Sequence, residues 1–243
     1  MRVVTTCHKQ GYQMYGKRFV EGWQNWPEES ELHWYTESFE PPHLTRCTFI
    51  PDTKIQGLQI IKERFQHYKP VGWEWDVVRY ANKVYAAYDA LIDYKGIGVW
   101  LDCDCVTFKP LPVGYIESLL PDDCYMAMFK RTGMHTETGF WIMNCAHEQH
   151  QSFLSNWIEW YESRAFFDLP GWTDCHTLDA TVRRFEKEGL IKTHSLSGTH
   201  AKDMHPLSKV ELGRYIDHCK GKRKITGYSP ENLNRTANAI AAA

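Results

Sequence analysis

No stretch of this sequence carries the roughly 18 apolar residues in a row that a membrane-spanning helix needs. The start, Met1-Arg2-Val3-Val4-Thr5-Thr6-Cys7, enters a β-branched run directly, with no cleavable apolar leader. These absences predict a soluble, cytoplasmic protein without a membrane anchor. Excess charge is missing as well. A formal charge of −2 and a pI near 6.6 give no global attraction to nucleic acid or to an anionic bilayer. The eight cysteines include no Cys-x-x-Cys pair, so they read as reduced thiols rather than as a disulfide framework. There is no internal repeat, and the only low-complexity stretch is the alanine-rich terminus. Nor does a glycine-rich phosphate loop follow the first candidate strand, where Thr5-Thr6-Cys7-His8 stands instead.

What is present is an alternation of short apolar runs with amphipathic stretches, the pattern of an α/β fold with a largely parallel sheet. Residues 2–6, 31–35, 47–50, 122–129 and 139–144 read as strands, and residues 96–111 read as a buried strand that ends in two carboxylates. Residues 17–25, 76–94, 152–164, 177–188 and 207–216 read as helices, and 11–16 as a loop. The helix at 76–94 is the clearest, because Val77, Tyr80, Ala81, Val84, Tyr85, Tyr88, Leu91 and Ile92 keep a 3.6-residue period. A single domain over residues 1–229 with a loosely held tail at 230–243 is expected. Ten Trp and thirteen Tyr are enough to fill a core and leave ring faces for sugars or bases.

The strand that follows the long helix ends in Asp102 and Asp104, spaced by one residue. In extended chain such a pair points to one side and can meet one cation. A strand buried in an open α/β sheet presents polar residues at its carboxyl end, where ligands bind. Near the other end of the chain, His218, Gly221 and Lys224 form His-x-x-Gly-x-x-Lys, which chance would give in roughly one chain in twenty of this composition. An imidazole to complete a coordination shell, a glycine that lets backbone N–H groups approach and an ammonium suit a metal-diphosphate. Two carboxylates, an imidazole and diphosphate oxygens form a hard donor set that favours Mn²⁺ or Mg²⁺.

With these two motifs in order, the chain resembles a GT-A glycosyltransferase and is similar to glycosyltransferase family 8, although Ile225 and Thr226 follow Lys224 where that family has Pro-Trp. The resemblance implies a GT-A fold, Rossmann-like with a mixed, mostly parallel sheet flanked by helices. It also implies a nucleotide-sugar donor, most simply a UDP-sugar, a divalent cation and retention of anomeric configuration. By motif match, Asp102, Asp104 and His218 are metal ligands, with Asp102 also near the donor ribose. Gly221 and Lys224 hold the diphosphate, and Lys224 has a catalytic role on the leaving group. Thr5 and Thr6 lie where such enzymes cradle the nucleotide.

Several further residues are candidates. Arg79 and Lys83, one helical turn apart, contact donor phosphate or sugar in similar enzymes; a solvated helix face explains them equally well. Glu137 and Gly139 border a loop expected to face the donor sugar, and Gly139 would let backbone come close. Asp174 is the candidate for acceptor positioning or general base, against a plain role at a helix start. The acceptor is a saccharide, a lipid-linked glycan, a protein or a hydroxymethylated DNA base. For DNA the near-neutral charge gives no support. The rivals are a metal-dependent nucleotidyltransferase and a catalytically silent binding module. A paired-carboxylate glycosidase is less attractive, because Asp102 and Asp104 are too close in sequence to straddle a sugar and that chemistry needs no metal or basic cluster.

Overall fold

Apolar side chains alternate across the central strands, and each strand therefore needs a partner layer on both faces. The computed structural model describes residues 1–232. Its main sheet consists of β1 Arg2–His8, β2 Glu31–Glu37, β3 Cys47–Pro51, β4 Ile97–Leu101, β6 Met126–Phe129, β7 Glu137–Asn144 and β8 Thr193–Ser195. The short strands β5 Cys105–Thr107 and β9 Ile216–His218 pair with each other apart from it. The spatial order is β3-β2-β1-β4-β7-β6-β8. The β1–β2, β2–β3, β1–β4 and β6–β8 pairs are parallel, whereas β7 runs antiparallel to β4 and β6. The sheet is thus mixed and mostly parallel, as the sequence pattern predicts.

Helices cover both faces. Val4, Trp100, Met128, Trp141 and Met143 point to one, where α3 Gln56–Arg64, α4 Val77–Leu91, α6 His150–Glu162 and α7 Asp174–Lys187 pack. Val3, Val99, Leu101, Phe129, Phe140 and Ile142 point to the other, against Phe19 and Trp23 of α2 Lys17–Trp23 and Ile116 of α5 Tyr115–Ser118. No described helix is long and apolar enough to cross a membrane.

Three local expectations change. Residues 11–16 are helical: α1 Lys9–Gly11 continues through a π turn, Tyr12–Gly16, into α2. The expected helix at 207–216 is instead two 3₁₀ turns, Pro206–Lys209 and Glu211–Arg214, followed by β9. A Cβ on Gly213 would stand 2.6 Å from the Leu207 carbonyl oxygen, so the backbone doubles back more tightly than an α-helix permits. Helix α7 starts at Asp174 rather than at 177, because Thr173 caps it by accepting a hydrogen bond from His176 N. Of the expected tail, residues 233–243 lie outside the described residues.

The topology places a crevice. From β1 the chain steps outward to β2 and β3, then returns to put β4 on the opposite side of β1. At such a reversal of strand order the carboxyl ends of the two neighbouring strands leave a cleft between their connections.

Candidate functional site

A cavity of about 130 Å³ opens at that reversal, lined by Thr6, Cys7 and His8 at the end of β1, Glu37 at the end of β2, Trp100 of β4, and Asp102, Cys103 and Asp104 just beyond it. Arg79, Tyr80 and Lys83 of α4, Asp174 at the start of α7, Tyr15 and Lys224 complete it. A second cavity of about 450 Å³ shares His8, Tyr15, Glu37, Arg79 and Lys224, so the two form one trench.

Asp102 and Asp104 meet there by a turn rather than by strand alternation. The strand stops at Leu101, and Cys105 N donates to Asp102 O at 2.8 Å, which closes a turn around the pair. Their environments differ. The Asp102 side chain keeps 29 % of its exposure and faces the cavity, whereas Asp104 keeps 7 %. Asp102 Oδ1 accepts from Trp100 Nε1 at 2.6 Å and from Lys83 Nζ at 2.9 Å.

The second motif reaches Asp104 through the two-stranded ladder in which Cys105 pairs with His218. His218 Nε2 stands 3.1 Å from Asp104 Oδ1 and 3.7 Å from Asp102 Oδ2. Both His218 Nε2 and Asp104 Oδ1 are buried and meet as an ion pair rather than through an aligned hydrogen bond. Two buried polar atoms left facing each other in this way fit a cation between them. Cys105 Sγ lies within 4.8 Å of these ligand atoms, a neighbour the motif does not flag. Burial and the Asp104 charge keep its thiol protonated, so the oxygen and imidazole donors match a hard cation better. Lys224 Nζ closes the group, 2.9 Å from Asp104 Oδ2 and 4.8 Å above the Tyr15 ring. Gly221 takes the left-handed conformation, φ 58°, that turns the chain between His218 and Lys224.

Buried charges here come in compensating sets. Lys83 Nζ touches Asp102 Oδ1 and Asp174 Oδ2, each at 2.9 Å, and donates to Thr138 O at 2.6 Å. Burial alone would lower the Lys83 pKa, but the Asp102 and Asp174 charges raise it above its usual value. Asp174 is likewise pushed up by burial and brought below its usual value by Lys83 and a hydrogen bond from Thr138. For Asp104, the His218 imidazolium and Lys224 outweigh burial and hold the carboxyl below the ordinary range. His218, despite burial, is raised to about 9 by Asp104 and Glu137. Lys83, Lys220 and Lys224 thus face Asp102, Asp104, Glu137 and Asp174, one carboxylate more than there are ammonium groups. The His218 imidazolium balances that excess.

Glu137 and Gly139 sit differently from expectation in one respect. Both belong to β7, and they face His218 more closely than they face the cavity. Glu137 Oε1 lies 3.2 Å from His218 Nδ1 and also pairs with Lys220. A Cβ on Gly139 would overlap the His218 ring. Gly139→Ala is therefore expected to displace the imidazole and weaken Mn²⁺ binding at least about tenfold. Titration of Mn²⁺ by electron paramagnetic resonance checks this, and unchanged affinity would refute it.

Of the other candidates, Thr6 lines the cavity and its hydroxyl donates to Tyr35 O at 3.2 Å. Thr5 is fully buried and does not line it. Arg79 is exposed at the rim. Tyr15, Glu37 and Trp100 are additions that no motif marks. Trp100, two residues before Asp102, had a sequence signal in its spacing, whereas the rest are brought in by tertiary structure.

No family model matches the chain, and no curated protein matches it in sequence. Solved structures do match its fold. The galactosyltransferase LgtC, in complex with donor and acceptor sugar analogues, is 13 % identical with a TM-score of 0.53, over 98 % of this chain and 96 % of that one. Mouse xyloside xylosyltransferase 1, in its apo form, is 12 % identical with a TM-score of 0.50, over 82 % and 85 %. The bifunctional glycosyltransferase WbbM is 9 % identical with a TM-score of 0.53, covering 98 % of this chain and 51 % of that one. At such identities the likeness is one of fold, and the fold is the GT-A type.

Proposed function

We propose that the chain is a glycosyltransferase that moves a sugar from a nucleoside-diphosphate sugar to a hydroxyl acceptor, with Asp102, Asp104 and His218 holding Mn²⁺ or Mg²⁺. One observation carries the reading: these three side chains converge from distant segments, with Asp104 Oδ1 and His218 Nε2 buried against each other at 3.1 Å, in the cleft of a glycosyltransferase-type sheet. When bound, the cation supplies Lewis-acid stabilisation of the departing diphosphate.

The protein's own groups supply the rest. Lys224 is the ammonium paired with Asp104, and Arg79 lines the same cavity. Fixed cations stabilise most where charge develops, so both act on the transition state more than on the bound donor. Gly221 and the turn it permits bring Lys224 over the diphosphate. Thr6, with His8 and Glu37, borders the half of the trench that would take the nucleoside, while Thr5 supports the strand beneath. Lys83 orients Asp102 and Asp174 together. Held by that ammonium, Asp174 is a weak base, and its role is to position the donor carbon and the acceptor hydroxyl.

The donor we propose is a UDP-sugar, transferred with retention, and the acceptor a saccharide, lipid-linked glycan, protein or modified DNA base. A thermal-shift and hydrolysis panel of nucleoside-diphosphate sugars with and without Mn²⁺ tests the reading. One donor should raise the melting temperature and release its diphosphate slowly, only with metal, and His218→Ala should abolish both. A panel in which neither donor nor metal changes anything would end the proposal.

A further inference from the structure

The His218 imidazole is held at both nitrogens by groups of opposite orientation. Nε2 points to Asp104 and Asp102, and Nδ1 points to Glu137 Oε1 at 3.2 Å. Glu137 is 1 % exposed, an unusual burial for a carboxylate, and it is balanced by Lys220, two residues beyond His218 at the end of β9. Its Oε1 also accepts from Gly139 N at 3.3 Å, which fixes the carboxylate against its own strand. The missing side chain of Gly139 leaves the space that the ring fills. Every contact therefore sets the plane of the imidazole and the direction in which each nitrogen points.

We infer that Glu137, clamped by Lys220, is the positioning residue for His218. It accepts the Nδ1–H, fixes the tautomer with the lone pair on Nε2 and aims that lone pair at the cation held by Asp102 and Asp104. The inference rests on the metal reading above and adds to it a residue that touches neither donor nor metal. A histidine that ligates a metal commonly gives its other N–H to a carboxylate, which fixes the ring and raises ligand basicity. Loss of such a partner typically weakens metal binding by about 10- to 100-fold. The ion pair with Lys220 has a second consequence. It ties β7 to the turn that carries Gly221 and Lys224, so the metal ligand and the phosphate-facing ammonium are set by one contact.

The test compares Mn²⁺ binding to wild type, Glu137→Gln, Glu137→Ala and His218→Ala by electron paramagnetic resonance, without donor. The ¹⁵N shifts of the His218 ring are recorded on the first three with diamagnetic Mg²⁺ present. Glu137→Gln keeps the shape and an acceptor oxygen, so it guards against misfolding. The expected result is a 10- to 100-fold loss for Glu137→Ala, a smaller loss for Glu137→Gln, and a mixed tautomer in Glu137→Ala where the wild type shows one. Wild-type affinity in Glu137→Ala, with binding lost in His218→Ala, would overturn the positioning role and leave the metal site standing. Wild-type affinity in His218→Ala as well would remove the metal reading together with this inference.

Discussion

Asp104→Asn is expected to slow metal-dependent release of diphosphate from the donor by about a thousandfold or more, which is roughly 4 kcal/mol of transition-state stabilisation. The amide preserves the shape of a buried side chain and removes its charge. His218 Nε2 and Lys224 Nζ, at 3.1 and 2.9 Å from the two carboxylate oxygens, then lose the anion that gathers them. Because the interaction matters most as the leaving group gains charge, the loss should fall on kcat with a smaller change in KM. Initial rates over a range of donor and Mn²⁺ concentrations give both parameters. A loss of less than tenfold at saturating metal would show that Asp104 is not a ligand in the reacting complex.

Lys83→Met is expected to act on stability. The ammonium sits between Asp102 and Asp174 and also donates to the Thr138 carbonyl, in a place where its side chain keeps 8 % of its exposure. Methionine fills a similar volume and leaves two carboxylates near each other with no shared cation. Breaking a buried ion pair from one side costs about 3–5 kcal/mol. For a chain of this size that lowers the melting temperature by on the order of 10 °C. Lys83→Met with Asp174→Asn should recover part of the loss, since the second change removes one stranded charge. Calorimetry on the single and double variants decides the matter. A single variant that melts with the wild type would mean that water, not Lys83, compensates these carboxylates.

The parts of this architecture written in local sequence were legible. The α4 period, the β-branched start of β1 and the apolar run of β4 each declare an element, and Asp102 and Asp104 declare a possible site at the end of one. What depended on distant partners was not legible. Gly11 and Gly16 resemble loop punctuation, yet they lie in helical backbone where the Tyr15 ring and the Cys103 sulfur pack against them. The 207–216 segment has helical periodicity, but the close approach of Gly213 to the Leu207 carbonyl forces tighter turns. The pairing of β5 with β9 is too short to show a period in either strand. For the same reason the motif arithmetic named His218 but gave Glu137 no link to it. Lys83 was visible only as a basic residue one turn from Arg79, and its engagement with two acids depends on where α7 begins.

The β5–β9 ladder has a bearing on when this molecule becomes competent. Ile216, Asp217 and His218 join Thr107, Val106 and Cys105 only after nearly the whole described chain has emerged, whereas the central β1–β4 and β4–β7 contacts precede them. Closing so long a loop is slow relative to forming local structure, and it yields only one short ladder. A growing chain would thus acquire its central sheet before His218 can join Asp104, and the cleft takes its final shape only when the β5–β9 ladder closes.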